Sequence, residues 1–196
     1  MGRPGMNEIC YICGKPCSKE ENNYHRACSK KMFGTPVPPS IPFSINDLKK
    51  LATQFISQKT SMTGVQKKLS LSINRESKEN KLTFVGLWGD YILKPQVEHY
   101  RQLPENEFLT MCLADLYQIR TVPHALLPLA SGELAYITKR IDRSNSNKVH
   151  MEDMAQLLQK MTEDKYRASV EQIGKIILKH CENRVLDALH FYELVS

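Results

Sequence analysis

The run Tyr91-Ile-Leu-Lys94 reads as a β-strand that ends on a charge, and Glu107 opens a helical pattern 13 residues further on. This pair restricts the fold more than any other feature. A strand lysine has a flexible stem, and it becomes a fixed cation only when a carboxylate holds it. A glutamate in the first turn of the following helix can do this if that helix swings back over the sheet. The order strand, loop, helix therefore asks for a sheet with one helix laid across it.

The flanking sequence supplies such a sheet. Leu69, Leu71 and Ile73 alternate with polar residues, which predicts a strand, and 82–87 and 91–93 predict two more, joined around Gly89 and Asp90. Residues 122–129 and 134–140 read as a hairpin about Gly132. The helix that opens at 104–107 is expected to line one face with Phe108, Leu109, Cys112, Leu113 and Leu116. Earlier, Ser44 reads as an N-cap with Asp47 three residues on, followed by apolar residues at helical spacing to Ile56. Beyond Asn147 the pattern is purely helical, and helices are expected over 150–160, 169–181 and 184–195. The fold class is thus α+β, with a five-stranded antiparallel sheet. With 41% apolar and 24% charged residues the chain can build a core.

Ahead of the first strand lies Ser61-Met-Thr-Gly64-Val-Gln-Lys-Lys68. Gly64 can adopt positive φ, so successive backbone N–H groups can converge on phosphate oxygens, and Lys67 and Lys68 add charge. A glycine-bearing turn, a strand lysine and a helix glutamate, in that order, describe the nucleotide-holding half of a protein kinase. The net charge of +6 suits phosphate-bearing ligands or acidic partners, while the Lys-Lys pairs read as solvated faces.

Five blocks in order, namely Ser61-Met-Thr-Gly-Val-Gln-Lys-Lys-Leu-Ser-Leu, Tyr91-Ile-Leu-Lys-Pro95, Asn106-Glu107-Phe, Tyr136-Ile-Thr-Lys-Arg-Ile-Asp-Arg143 and His150-Met-Glu-Asp-Met-Ala-Gln156, resemble the HipA family of bacterial serine/threonine kinase toxins. The Cys-rich start is similar to that of the short, HipT-like members. The resemblance implies a protein-kinase-like N-lobe that takes ATP with Mg. Thr63, Gly64, Val65, Gln66, Lys67 and Lys68 would form the phosphate-covering loop. Lys94 would meet the ATP phosphates and Glu107 would hold it. Lys139, Arg140 and Ile141 would lie at the hinge against adenine. Ser61 would be the self-phosphorylated serine, with Thr63 a second candidate. The implied partners are a helix-turn-helix antitoxin and a protein substrate such as an aminoacyl-tRNA synthetase.

The family's catalytic loop, approximately Gly-Asn-x-Asp-x-His-x-Lys-Asn, has no counterpart here, and Asp187-Ala-Leu-His190 has the wrong spacing. The expectation is a truncated helical C-lobe over 144–196, no catalytic residue within the chain, and inactivity unless a separate C-lobe chain completes it. The alternative is a non-catalytic partner-binding module, a pseudokinase remnant or half of a split kinase, docking through Leu186, Leu189, Phe191 and Leu194.

Four of the six cysteines fall in the first 28 residues. Cys10-x-x-Cys13 and His25-x-x-Cys28 have the spacing of a tetrahedral zinc site, with Cys17 as a spare ligand. Four protein ligands leave no open position, so a structural role is expected, in a head (1–34) with little core of its own. Residues 34–42 carry four prolines and read as an extended linker, so that 35–58 joins the head to an N-lobe over 59–143. His99, His124, His180 and His190 lack partners at ligand spacing, and Cys112 and Cys181 read as buried thiols. No apolar run reaches membrane-spanning length and no signal segment is evident, so a cytoplasmic chain with reduced thiols is expected. Direct nucleic-acid binding is not expected, because basic and aromatic residues are sparse in the head.

Overall fold

Five segments with strand alternation form one antiparallel sheet: β1 (Leu69–Asn74), β2 (Lys81–Phe84), β3 (Tyr91–Pro95), β4 (His124–Pro128) and β5 (Leu134–Lys139), in the order β2-β1-β3-β5-β4. The computed structural model describes residues 8–56, 69–74, 80–85, 89–144, 147–164 and 167–196. Ser61, Thr63, Gly64, Val65, Gln66, Lys67, Lys68, Leu87 and Trp88 lie outside the described residues.

Neighbouring residues of a strand point to opposite faces, so cross-strand register sorts the side chains. On one face Leu69 pairs with Leu93, Leu93 with Ile137, and Ile137 with Ala125, and all four are buried. Two helices share this core. They are α1 (Arg26–Phe33), through Met32 and Phe33, and α2 (Ile45–Ile56), through Leu48. Each such large side chain contributes about 1.5–3 kcal/mol of burial. The start of α2 is fixed as the sequence implies: the Ser44 N–H and hydroxyl donate to Asp47 Oδ2, and the Asp47 N–H donates back to Ser44 Oγ.

On the opposite face one row runs Ser70, Ile92, Thr138, His124 and the next runs Lys94, Tyr136, Leu126. Helix α3 (Leu103–Leu116) covers the β5–β4 side of this face, where Phe108, Leu126 and Tyr136 form a second core. Ser70, Ser72, Ile92 and Lys94 remain half-buried.

Both sheet edges are occupied. The proline-rich linker bonds to the β2 edge, with Leu82 N donating to Ser40 O (3.0 Å) and Ser40 N to Asn80 O (3.1 Å). At the β4 edge, Leu126 N donates to Tyr11 O (2.8 Å) and the Tyr24 hydroxyl donates to Leu126 O (2.8 Å). The Cys-rich head therefore takes its core from the sheet, with Tyr24 in the same cluster as Leu93 and Ile137.

The expected face of α3 is corrected. Pro104 and Phe108 are buried with Met111 and Cys112 half-buried beside them, whereas Leu109, Leu113 and Leu116 are exposed. The helix carries apolar residues on two stripes, and the sheet takes the one at i, i+4, i+7 and i+8. Glu107 sits in the second turn, since the helix starts at Leu103.

Gly89 precedes β3 at a close approach. A Cβ there would fall 2.5 Å from the Leu71 backbone nitrogen and oxygen, and the Gly89 N–H donates to Ser70 Oγ (3.0 Å). Gly89→Ala is expected to lower stability by about 1–3 kcal/mol, read as a reduced midpoint in urea.

Two compact units emerge, one of 1–116 with 120–141 and the other of 117–119 with 142–196. The second unit contains a small hairpin of β6 (Arg143–Ser144) and β7 (Asn147–Lys148), then α4 (Met154–Leu157), α5 (Val170–His180) and α6 (Arg184–Val195). The helix expected over 150–160 is only four residues long. Asp153 caps it reciprocally with Gln156, so nothing before Met154 is helical, and Gln159 at φ 54° stops it. α5 is capped by Ser169 with Gln172 and buries Ile177. Among the described residues no helix is long and apolar enough to cross a membrane.

Candidate functional site

Lys94 Nζ and Glu107 Oε1 form a direct ion pair, with side chains 21% and 26% exposed. The lysine ammonium also lies 5.3 Å from the centroid of the Tyr136 ring, within cation–π range. Both contacts follow from register. Lys94 pairs with Tyr136 across β3 and β5, and α3 crosses that same face. The loop from β3 to α3 is set by Gln96, whose amide donates to the Val97 and Tyr100 carbonyls and whose Oε1 accepts from Leu103 N (3.1 Å). That last bond satisfies one of the open N–H groups at the start of α3. The cation is thus held at a defined point on a half-buried surface, where it can attract an anion that enters from solvent.

The rows of the sheet add residues that sequence reasoning did not single out. Ile92, two residues before Lys94, pairs with Thr138, which is 8% exposed. Together they lie on the Lys94 face one row away from the charge, Ile92 apolar and Thr138 a buried hydroxyl. The Tyr136 hydroxyl is buried with no hydrogen-bond partner among the described residues. Burial first, then the nearby Glu107 charge, holds its ionisation well above the usual tyrosine range. Tyr136 and Thr138 could have been flagged from the alternation in Ala135-Tyr-Ile-Thr-Lys139, but their pairing with Lys94 and Ile92 depends on register. At the end of β5, Lys139 N donates to Pro123 O (2.9 Å) and Arg140 N donates to Asp90 O (2.8 Å), while Ile141 is 62% exposed. The N–H groups of Lys139 and Arg140 are therefore engaged within the protein.

The second constellation is in the head. One ligand atom from each of Cys10, Cys13, His25 and Cys28 lies within 4.8 Å of the others, so this cluster can hold a metal ion. Cys10 and Cys13 sit on a tight turn, with Gly14 N donating to Cys10 O (2.9 Å) and Cys10 N to Lys15 O (2.8 Å). Gly14 supplies the left-handed φ of 68° that this turn needs. His25 immediately precedes α1 and Cys28 lies in its first turn, which brings the second pair to the first. His25 Nδ1 is 3.4 Å from Cys13 Sγ and 3.7 Å from Cys28 Sγ, while Nε2 reaches Pro16 O at 3.1 Å. An Nε2–H bond to that carbonyl leaves Nδ1 as the ligand atom. A tetrahedral zinc with Zn–S near 2.3 Å has edges of about 3.8 Å, so the four donors fit with a small contraction. Burial, reinforced by neighbouring thiols, pushes the Cys28 thiol up to about 12. Burial also opposes ionisation of Cys10, but hydrogen bonds from the His25, Cys13 and Ile12 backbone outweigh it and lower that pKa. Cys17 lies outside the cluster, with its N–H bonded to Glu8 O (2.8 Å).

Of the remaining candidates, His124 is a packing residue, lying between the Phe108 and Tyr136 rings with Nδ1 2.9 Å from Val122 O. Cys112 and Cys181 are half-buried rather than buried. A Cβ on Gly14 of the head would lie 3.0 Å from Cys112 Sγ, and Cys181 is the extended residue that caps the end of α5.

The family model described as HipA-like C-terminal domain matches residues 60–196. A Haemophilus influenzae protein named "Putative kinase" is 31% identical over 198 residues, covering 90% of this chain and 54% of its own length. A Sinorhizobium fredii protein named "Putative kinase Y4dM" is 31% identical over 158 residues, covering 74% of this chain and 37% of its own. The chain thus spans about half or less of the length of these curated relatives.

Proposed function

Because this chain belongs to the HipA family, we propose that residues 59–143 are the N-lobe of a serine/threonine protein kinase and hold ATP with Mg. The observation that carries the reading is the Lys94–Glu107 ion pair on a half-buried sheet face. A nucleotide polyphosphate needs a cation held in place, and catalysis of phosphoryl transfer is mostly positioning and charge stabilisation. Lys94 supplies the charge and Glu107 fixes the stem. Ile92 and Thr138 offer a surface for a flat base, and residues 139–141 border it. The segment of Thr63, Gly64, Val65, Gln66, Lys67 and Lys68 covers the phosphates, with Ser61 and Thr63 as phosphorylation sites. Mg, when bound, would supply charge neutralisation at the phosphates, and the family's metal-binding asparagine and aspartate have no counterpart among these residues. The metal in the head is a structural zinc on Cys10, Cys13, His25 and Cys28.

In the larger setting this lobe serves a growth-arresting kinase of a toxin–antitoxin pair, restrained by a helix-turn-helix partner and acting on a protein such as an aminoacyl-tRNA synthetase. A polypeptide of these 196 residues is expected to bind nucleotide without transferring phosphate, because the family's Gly-Asn-x-Asp-x-His-x-Lys-Asn loop has no counterpart among them. A second reading, a non-catalytic docking module, is favoured by α6, where Leu186, Leu189 and Leu194 are 51%, 51% and 62% exposed.

Titration calorimetry with Mg-ATP separates the two. Binding in the micromolar to millimolar range is expected, and Glu107→Gln should weaken it by about 3–10-fold, since a neutral amide orients the ammonium less strongly. Absence of binding in the wild type would leave the docking reading in possession.

A further inference from the structure

The head and the nucleotide face are in direct contact through one helix. Tyr11 lies between the two cysteines of the Cys10–Cys13 turn, and its side chain packs both against the Phe108–Leu126–Tyr136 cluster, beside Met111 and Cys112, and against the main core, edge-on to the Tyr24 ring at 5.7 Å. A Cβ on Gly14 would lie 3.0 Å from Cys112 Sγ, so the turn's backbone touches α3 with no room for a side chain. The same turn is fastened to the sheet edge by the bond from Leu126 N to Tyr11 O. Phe108 is the residue after Glu107, and Met111 is one helical turn further along. Tyr136, in the same cluster, lies under the Lys94 ammonium. The metal-binding turn is therefore a wedge whose tip rests on the residues that position both members of the ion pair.

We propose that metal binding at Cys10, Cys13, His25 and Cys28 and nucleotide binding at Lys94–Glu107 are linked, with Tyr11 and Gly14 as positioning residues that hold α3 in the paired arrangement. The proposal rests on the nucleotide reading above. A short head of this kind has few contacts of its own, and the metal fixes the loop that carries Tyr11. With the loop loose, the Tyr11 ring leaves the cluster and α3 can shift. A displacement of an ångström is enough to separate a carboxylate from an ammonium. Because coupling between sites is reciprocal, nucleotide must tighten the metal by the same factor that metal tightens the nucleotide.

The test is a two-way measurement on the full chain. Mg-ATP affinity is read by calorimetry with zinc-loaded and chelator-stripped protein, and zinc affinity by competition with a chromophoric chelator with and without saturating Mg-ATP. The expected result is about 3–10-fold tighter Mg-ATP binding in the zinc-loaded chain and an equal gain in zinc affinity. Tyr11→Leu keeps all four ligands and decides the case if the stripped chain unfolds. It should bind zinc and stay folded by circular dichroism, bind Mg-ATP about 3–10-fold more weakly, and lose the reciprocal gain. Leu48→Ala, in the core on the opposite face, should lower stability and leave the coupling unchanged. Equal Mg-ATP affinity with and without zinc, or in Tyr11→Leu and wild type, would overturn the linkage while leaving the nucleotide site standing. No Mg-ATP binding to any form would remove the nucleotide reading and the linkage with it.

Discussion

Lys94→Ala is expected to weaken Mg-ATP binding by about 30-fold or more, measured by calorimetry on folded protein. A charge-assisted contact to phosphate is worth roughly 1.5–3 kcal/mol, or about one to two powers of ten. The loss is compounded by what stays behind. Glu107 is only 26% exposed and would face the incoming phosphates as an uncompensated negative charge. Removing half of a partly buried pair also destabilises the fold, here by about 1–2 kcal/mol because water still reaches both groups. The double variant Lys94→Ala with Glu107→Gln should recover part of that stability and only the share of the binding that repulsion by the Glu107 carboxylate had cost. Full recovery of binding would mean that Lys94 does not meet the phosphates.

Stripping the metal is the second large effect. Structural zinc sites carry much of the folding free energy of the segments that bind them. In this chain the segment also supplies core: Tyr24, Met32 and Phe33 are buried in the cluster that contains Leu93 and Ile137. Chelation, or Cys10→Ser, is expected to lower the melting temperature by about 10 °C or more and to expose tyrosine at the β4 edge. The effect has a pH signature. Metal displaces protons from the thiols, and burial holds the Cys28 pKa near 12, so binding releases a proton there at neutral pH. Metal affinity must therefore fall as pH falls, and a metal-dependent melting temperature that is flat between pH 8 and pH 6 would contradict cysteine ligation.

What the sequence disclosed and what it hid follow from the range of each interaction. Signals carried within a few residues were legible. The Ser44–Asp47 cap placed α2, and the turn residues around Gly132 placed the β4–β5 hairpin. The Cys10, Cys13, His25, Cys28 set was legible because ligand spacing is itself local, and the structure brings its four ligand atoms together. The Lys94–Glu107 pair was legible from the order of elements, although its register on Tyr136 was not. The burial of α3 was misread because two apolar stripes compete on that helix, and only the sheet decides between them. Helix α1 went unread because its first turn is occupied by ligand residues whose pattern is that of a metal site rather than of an amphipathic face. The contact between Gly14 and Cys112 joins residues far apart in the chain, and no local pattern encodes it.

The most direct measurement of the central claim is a map of backbone amide shifts as Mg-ATP is titrated into isotopically labelled protein. Shifts are expected to concentrate on Ile92, Lys94, Glu107, Thr138 and residues 139–141, saturating with a single affinity and absent with adenosine-free magnesium triphosphate at the 139–141 end. Shifts confined to α6, to the head, or to no coherent surface would contradict that claim.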